Sequence, residues 1–307
     1  FFMPLIGTAT VFLVYILGKN IFNEKIGLYS ALFLALLPVH IFYSGRILTD
    51  ILVTFFITLT FISFWKGYEK GIKKYKLLFG LFFALSLLSR YTSLWLIPFF
   101  ISYFLIRDKS LKFLMDKSLW QAILIFFIVL VPLFIYSYNV YGSPLGVLIH
   151  ASKSPTYWGG EQPWNTYFNL WYDMFFIIGF LAIISLWYLI HKKEILKKEF
   201  IFLILGVLVV LFFAIMTPHK EDRYIMPIVI GLCILSGYFM NDIEIRFKKI
   251  LLGVMIIVMG ILLYSSFISN LQSYDENSSC FLKVTDFLKN TDKNSIIITD
   301  QSSPVFY

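Results

Sequence analysis

FIFLILGVLVVLFFAIMTPHKEDRYIMPIVIGLCILSGYFM, residues 200–240, decides the fold. The runs 200–216 and 225–240 hold no Asp, Glu, Lys or Arg, yet five ionisable residues, His219 to Arg223, crowd the link between them. A helix crosses the hydrocarbon of a bilayer with roughly 17–25 mostly apolar residues. The stretch therefore reads as two transmembrane helices joined by a short, densely charged turn.

The rest of the chain has the same character. Of 307 residues, 59% are hydrophobic and 14% charged, with a mean hydropathy of +0.80. A soluble domain carries roughly 25% charged residues to cover its water-facing surface. Ten hydrophobic segments can be marked, at about 4–18, 27–43, 47–65, 77–89, 91–106, 119–138, 171–190, 200–216, 225–240 and 250–268. The expected architecture is an all-α polytopic membrane protein. Phe, Tyr and Trp (34, 19 and 7 residues) are plentiful, as suits rings that face lipid or sit at headgroup level.

The net charge of +8 does not point to nucleic acid, because no long water-compatible basic segment forms a groove floor. The basic residues instead sort by side. If every segment crosses once, the loops 19–26, 66–76, 107–118, 191–199 and 241–249 share one face and hold 18 of the 26 Lys and Arg residues. The positive-inside rule assigns that face to the cytosol. Residues 77–106 read as one helix would measure about 45 Å and would invert everything downstream. Two crossings with Arg90 at the outer turn fit better. Cys233 lies in an apolar stretch and Cys280 in a polar one, so a mutual disulfide is not expected.

On the extracytoplasmic face three polar features are expected. One is the link around YSGRILTD (43–50), and another is the Gly-, Pro-, Trp- and Tyr-rich loop 139–170, read as lying on the membrane surface. The third is the tail 269–307. There 281–290 has helical spacing and SIIITD (295–300) reads as a strand, the beginning of an α/β domain. The chain thus divides into a transmembrane domain, 1–268, and the start of an extracytoplasmic domain, 269–307. Both ends look cut, and the charge asymmetry asks for an odd number of spans before residue 1.

The polar residues that can carry chemistry lie on this outer face. In the 217–224 link, Arg223 and Lys220 supply donors that match phosphate oxygens, and His219 can exchange a proton near neutral pH. The bland alternative is a solvated turn with internal ion pairs. Arg46 and Asp50, four residues apart, can pair along one helix face, while Asp50 can also serve as a capping or first-turn acid. Arg90 is either a snorkelling arginine or part of an anion pocket with Arg46 and Arg223. No phosphate-binding loop, dinucleotide fingerprint or zinc-protease motif occurs.

HKEDRYIMP at 219–227 resembles the His-Lys-Glu-x-Arg-(Tyr/Phe)-x-x-Pro loop of the lipid-linked sugar transferases of the GT-C superfamily, which include dolichyl-phosphate-mannose-dependent mannosyltransferases. Residues 7–56, GTATVFLVYILGKNIFNEKIGLYSALFLALLPVHIFYSGRILTDILVTFF, are similar to that family's run of Gly-Thr-x-Thr, Tyr-x-x-Gly-Lys, a Pro-containing span, then Ser-x-Arg and Asp. The branch it most resembles comprises archaeal and bacterial enzymes related to protein O-mannosyltransferases, of the family 39 type.

The resemblance implies a GT-C helix bundle in the cell membrane with its active face extracytoplasmic. It implies transfer of a sugar, mannose among the candidates, from a polyprenyl- or dolichyl-phosphate carrier to a protein, lipid or glycan acceptor. Arg223 with Lys220 would hold the donor phosphate. Asp50 would support catalysis alongside Arg46, and Arg90, His219 and Glu221 would shape the site. The donor tail would lie between spans. Some relatives use a divalent cation, for which no ligand is assigned here. The family's main catalytic acid sits in the first outer loop, which would fall upstream of residue 1, so this piece alone is expected to be inactive. Beside this stand two other readings: a transporter or flippase for a lipid-linked or anionic solute, and a non-catalytic scaffold.

Overall fold

The computed structural model describes residues 2–153 and 162–243, together with positions 247, 249–250, 252–254, 256–258, 260–261 and 264. Eleven helices fill the two long stretches: α1 (Phe2–Ile21), α2 (Glu24–Leu36), α3 (Pro38–Ser44), α4 (Thr49–Phe64), α5 (Lys73–Ser89), α6 (Leu96–Asp108), α7 (Lys117–Tyr141), α8 (Gly146–Lys153), α9 (Thr166–His191), α10 (Lys198–Met216) and α11 (Ile228–Asp242). No strand occurs among the described residues. All eleven helices belong to one compact unit, Phe1–Leu252. In the second unit, Gly253–Tyr307, the positions described between 253 and 264 are helical. The helix expected at 281–290, the strand expected at 295–300 and Cys280 fall outside the described residues.

Local chemistry sets the helix ends. The Asn23 side chain accepts from the Ile26 amide at 3.0 Å and starts α2. The Asp116 carboxylate does the same for α7 through Ser118 at 2.9 Å. Each satisfies one of the amides that a helix leaves without a partner in its first turn. Gly142, at φ 69°, closes α7 in the left-handed conformation that a side chain would disfavour.

Three sequence expectations need correction. The span expected at 27–43 is broken: α2 and α3 meet at Leu37–Pro38 with a bend of 64°. Pro38 has no amide to continue the α2 ladder but suits the first turn of α3, so the apolar run continues while the helix does not. The loop expected at 139–170 contains α8, and its last residues already belong to α9. The expected pairing of Arg46 with Asp50 on one helix does not form. Arg46 precedes α4, in the turn after α3, while Asp50 lies in the first turn of α4 and caps no amide with its side chain. The separation of 77–89 from 91–106 holds. Arg90 is extended (φ −160°, ψ 129°) and a short 3₁₀ turn, Tyr91–Trp95, leads into α6.

Among the described residues four helices, α1, α7, α10 and the continuous Thr49–Glu69 stretch, are long and apolar enough to cross a membrane, and the bent α2–α3 pair makes a fifth span if read as one. The protein is a multi-pass membrane protein. In the bundle α11 is buried along nearly its whole length and packs on α2, α9 and α10, while α1, α4, α5 and α7 follow one another outward from α2. At Gly80 an added Cβ would come within 2.0 Å of the Ala122 carbonyl oxygen, so glycine is what lets the α5 and α7 backbones approach this closely.

The loops gather at two ends. At one, Lys76 pairs with Asp116 at 2.5 Å, and buried Glu69 holds both Arg107 at 2.5 Å and Lys198 at 2.9 Å. Lys70 donates to Asn20 at 3.1 Å, and Lys192 pairs with Asp242. This is the end where the lysine-rich loops meet. The links around residues 46, 90, 162 and 220 meet at the other end.

Candidate functional site

The short break after α5 and the 217–224 link bring distant residues together. Asp50 forms an ion pair with Arg90, forty positions on. The pair is deeply placed, with side-chain exposures of 2% and 14%. Charged groups so buried persist only when paired. Asp50 Oδ2 finds no hydrogen-bond donor among the described residues.

The Arg90 guanidinium lies 5.1 Å from the ring of Tyr224, and that of Arg223 lies 6.0 Å from the same ring. Two arginines thus lie near one aromatic ring, each placed for a cation–π contact. Burial first, and then the proximity of Arg223, push the Arg90 guanidinium below its ordinary value.

The turn itself is internally braced. The Glu221 carboxylate bridges His219 Nε2, at 3.1 Å, and Arg223 Nε. Burial alone would raise the Glu221 carboxyl, but Arg223 and then His219 more than offset this and hold it low. Burial likewise opposes the charge on Arg223, and Glu221 overcomes it, so its value ends raised. The bland reading of internal ion pairs is therefore partly right. It does not account for Arg223, whose side chain stays 34% exposed while its partner is fixed.

Lys220 is buried, and its ammonium donates to the Thr217 carbonyl at 2.8 Å rather than reaching outward. Its amide donates to Gln162 Oε1 at 2.8 Å, while the Gln162 amide donates to the Pro218 carbonyl at 3.0 Å. This two-point clasp joins the segment before α9 to the charged turn. Arg46 stacks on Phe42 at 3.8 Å, is exposed, and has no carboxylate partner among the described residues. Buried Tyr43 links the clusters, lying within electrostatic reach of Asp222, Arg223 and Arg46. The structure brings Asp50, Arg90 and Arg223 together, sets His219 and Glu221 behind Arg223, turns Lys220 inward and leaves Arg46 at the rim. No group of three His, Cys, Asp or Glu residues able to hold a metal ion occurs among the described residues.

Beneath the turn an apolar cavity of ≈ 410 Å³ runs between α9, α10 and α11, within the range usual for ligand pockets. Its lining begins at Trp164, Tyr167 and Ile215 near the turn and continues to Leu186 and Ile204. The α9 residues involved, from 167 to 186, cover about 28 Å of helix axis. Sequence reading gave neither this cavity nor Gln162 and Tyr167, because which helices line a gap depends on their packing.

Residues 1–136 match the family described as dolichyl-phosphate-mannose-protein mannosyltransferase. Among solved structures, ArnT from Cupriavidus metallidurans in the apo state aligns with a TM-score of 0.70 at 14% identity, over 83% of this chain and 48% of ArnT. The same protein bound to undecaprenyl phosphate gives 0.69 at 12% identity, over 95% and 51%. The oligosaccharyltransferase of Archaeoglobus fulgidus in the apo form gives 0.56 at 14% identity, over 82% and 40%. The chain spans about half the length of the solved structures it matches. No curated protein matches it in sequence. The chain thus shares its fold with ArnT and the archaeal oligosaccharyltransferase, and its residues 1–136 carry the mannosyltransferase family match.

Proposed function

We propose that the protein transfers a sugar from a polyprenyl-phosphate carrier to an acceptor hydroxyl, with the Arg90–Tyr224–Arg223 cluster holding the donor phosphate. The observation that carries this is the nearness of two unlike surfaces: the Arg90 and Arg223 guanidiniums at the Tyr224 ring, and an apolar cavity whose lining reaches Trp164, Tyr167 and Ile215 near the turn. A polyprenyl-phosphate sugar has that same division, an extended hydrocarbon tail ending in a phosphodiester. The undecaprenyl phosphate bound by ArnT is a molecule of this class. Arg46, Arg90, Lys220 and Arg223 outnumber Asp50, Glu221 and Asp222 by one positive charge, which suits a monoanionic diester.

In this reading the anomeric carbon exchanges its bond to the phosphate oxygen for a bond to the acceptor oxygen. The acceptor's proton passes to a carboxylate acting as general base. Polyprenyl phosphate departs with one more negative charge, and that growing charge is where fixed arginines act most strongly. Asp50 keeps Arg90 ionised and aimed rather than taking the proton itself. Glu221 holds Arg223 through Nε, leaving its two terminal nitrogens for the phosphate, with His219 bracing Glu221. Arg46 sits at the rim, where an acceptor would approach. The acceptor would be a protein, lipid or glycan hydroxyl, and mannose on a dolichyl carrier is the donor that the family match favours.

A photoreactive polyprenyl phosphate with its reactive group in the tail tests the placement. Crosslinks are expected at cavity positions such as Ile183 and Leu208. Preferential labelling of exposed α7 positions such as Leu124 and Phe127 would overturn it. We further propose that the site end faces away from the cytosol in the cell membrane. With cysteine at position 153 or 193 of an otherwise cysteine-free full-length protein, an impermeant thiol reagent added outside should label the Lys153→Cys protein and spare Lys193→Cys. The opposite pattern contradicts the orientation.

A further inference from the structure

Five lysines stand between positions 66 and 76 beside a single acid, Glu69. The fold separates the two signs. Glu69 turns inward, its side chain 5% exposed, and is taken up by Arg107 and Lys198. Lys76 is taken up by Asp116. Lys66, Lys70, Lys73 and Lys74 remain, and none of them has a carboxylate within ion-pair distance among the described residues. α5 opens on the last two with no acid in its first turn.

Two of the four are held in place. The chain turns back after the π-helical turn Trp65–Glu69, and the Ile72 amide donates to the Lys66 carbonyl at 3.0 Å. Lys66 then lies against Tyr75, its ammonium 3.4 Å from the hydroxyl and 4.8 Å from the ring centroid. Lys70 reaches across to α1 and donates to Asn20 Oδ1 at 3.1 Å. Partial burial first, and then the charge of Lys66, hold the Lys70 ammonium below its ordinary value. Like charges kept this close oppose one another until a counter-charge joins them. Orientation in a bilayer depends on the number of positive charges near a span and gives no reason to fix them in one cluster.

The position of the cluster says which anion fits. It begins in the last turn of the Thr49–Glu69 stretch, which is long and apolar enough to cross a membrane, and so lies at headgroup level. Amid the lysines Ile72 is 44% exposed. An apolar side chain among ammoniums suits a surface that offers anionic headgroups with hydrocarbon beneath them. A soluble anion or a nucleic acid strand offers nothing to Ile72. We infer that Lys66, Lys70, Lys73 and Lys74 form a binding surface for anionic phospholipid headgroups, with Ile72 entering the acyl boundary between them. Clusters of four or more basic residues beside a transmembrane helix attract such lipids. The surface lies at the end of the bundle away from the Arg90 and Arg223 guanidiniums, so it anchors the protein without touching the transferred sugar.

Native mass spectrometry of the full-length protein in neutral detergent tests this, with phosphatidylglycerol and phosphatidylcholine of the same acyl chains as probes. The wild type should bind phosphatidylglycerol roughly tenfold more tightly than phosphatidylcholine, the scale set by a few lysines near an anionic surface. Lys73→Gln with Lys74→Gln, both at exposed positions, should remove most of that preference. Unchanged phosphatidylcholine binding then shows that this variant is folded. Lys25→Gln with Lys193→Gln takes the same charge from other exposed positions and should keep the preference. Wild-type preference in the Lys73 and Lys74 variant overturns the assignment. Equal losses in both variants also overturn it, since they mean that net charge alone attracts the lipid. Displacement of phosphatidylglycerol by an equal concentration of inorganic phosphate overturns it too, and marks a site for a soluble anion.

Discussion

Arg223→Ala in the full-length protein is expected to lower kcat/KM for a polyprenyl-phosphate-sugar donor by roughly 10²–10³-fold, the loss that follows removal of one fixed donor from a developing anion. The structure explains why a single side chain should count for so much. Glu221 holds Nε of Arg223, and His219 holds Glu221, so the guanidinium is fixed before any ligand arrives and loses little entropy on binding one. Arg90 also lies at the Tyr224 ring but is already committed to Asp50. Arg223→Lys keeps the charge and discards the fork, and a flexible ammonium cannot meet both Glu221 and a phosphate in the same geometry. Its activity should fall between wild type and Arg223→Ala. Comparing donor kinetics of the three proteins in nanodiscs decides the matter. A folded Arg223→Ala protein with unchanged kcat/KM would mean that the link is only a charged turn.

The second large effect is on stability. Asp50→Asn should destabilise the folded protein by about 3–5 kcal/mol, the usual consequence of leaving one partner of a buried ion pair without its counter-charge. Asp50 is almost fully enclosed and Arg90 nearly so, and nothing else among the described carboxylates is paired with Arg90. Removing both charges with Asp50→Leu and Arg90→Leu should restore much of the loss, since two apolar residues of similar size often replace a buried pair at little cost. The double variant should still fail to transfer sugar. Thermal unfolding of the three proteins in one detergent gives the comparison. An Asp50→Asn protein that melts with wild type would show that the pair carries no structural weight.

These two residues also mark the limits of sequence reading. The apolar runs around α1, α4, α7 and α10 are legible because a bilayer leaves few alternatives for twenty residues without charge. The HKEDR cluster is legible because five ionisable groups between two such runs are hard to explain as a tight turn. The partner of Asp50 is not. Arg46 stands at helical spacing and Arg90 forty residues away, so local rules favour the wrong arginine, and only the packing of α4 on α5 chooses between them. The break at Leu37–Pro38 is hidden for a related reason: hydropathy continues through a proline that suits the start of the next helix as well as it ends the previous one.

The central claim is that this bundle breaks a sugar–phosphate bond rather than moving an intact lipid. Full-length protein in sealed vesicles, supplied with a panel of polyprenyl-phosphate sugars labelled in the sugar and with hydroxyl-bearing acceptors, separates the two. We predict that at least one donor loses its labelled sugar to an acceptor and yields polyprenyl phosphate, and that Arg223→Ala abolishes both. Donors that cross the bilayer with the label still attached to lipid, at a rate dependent on the protein, would contradict the account and identify a transporter.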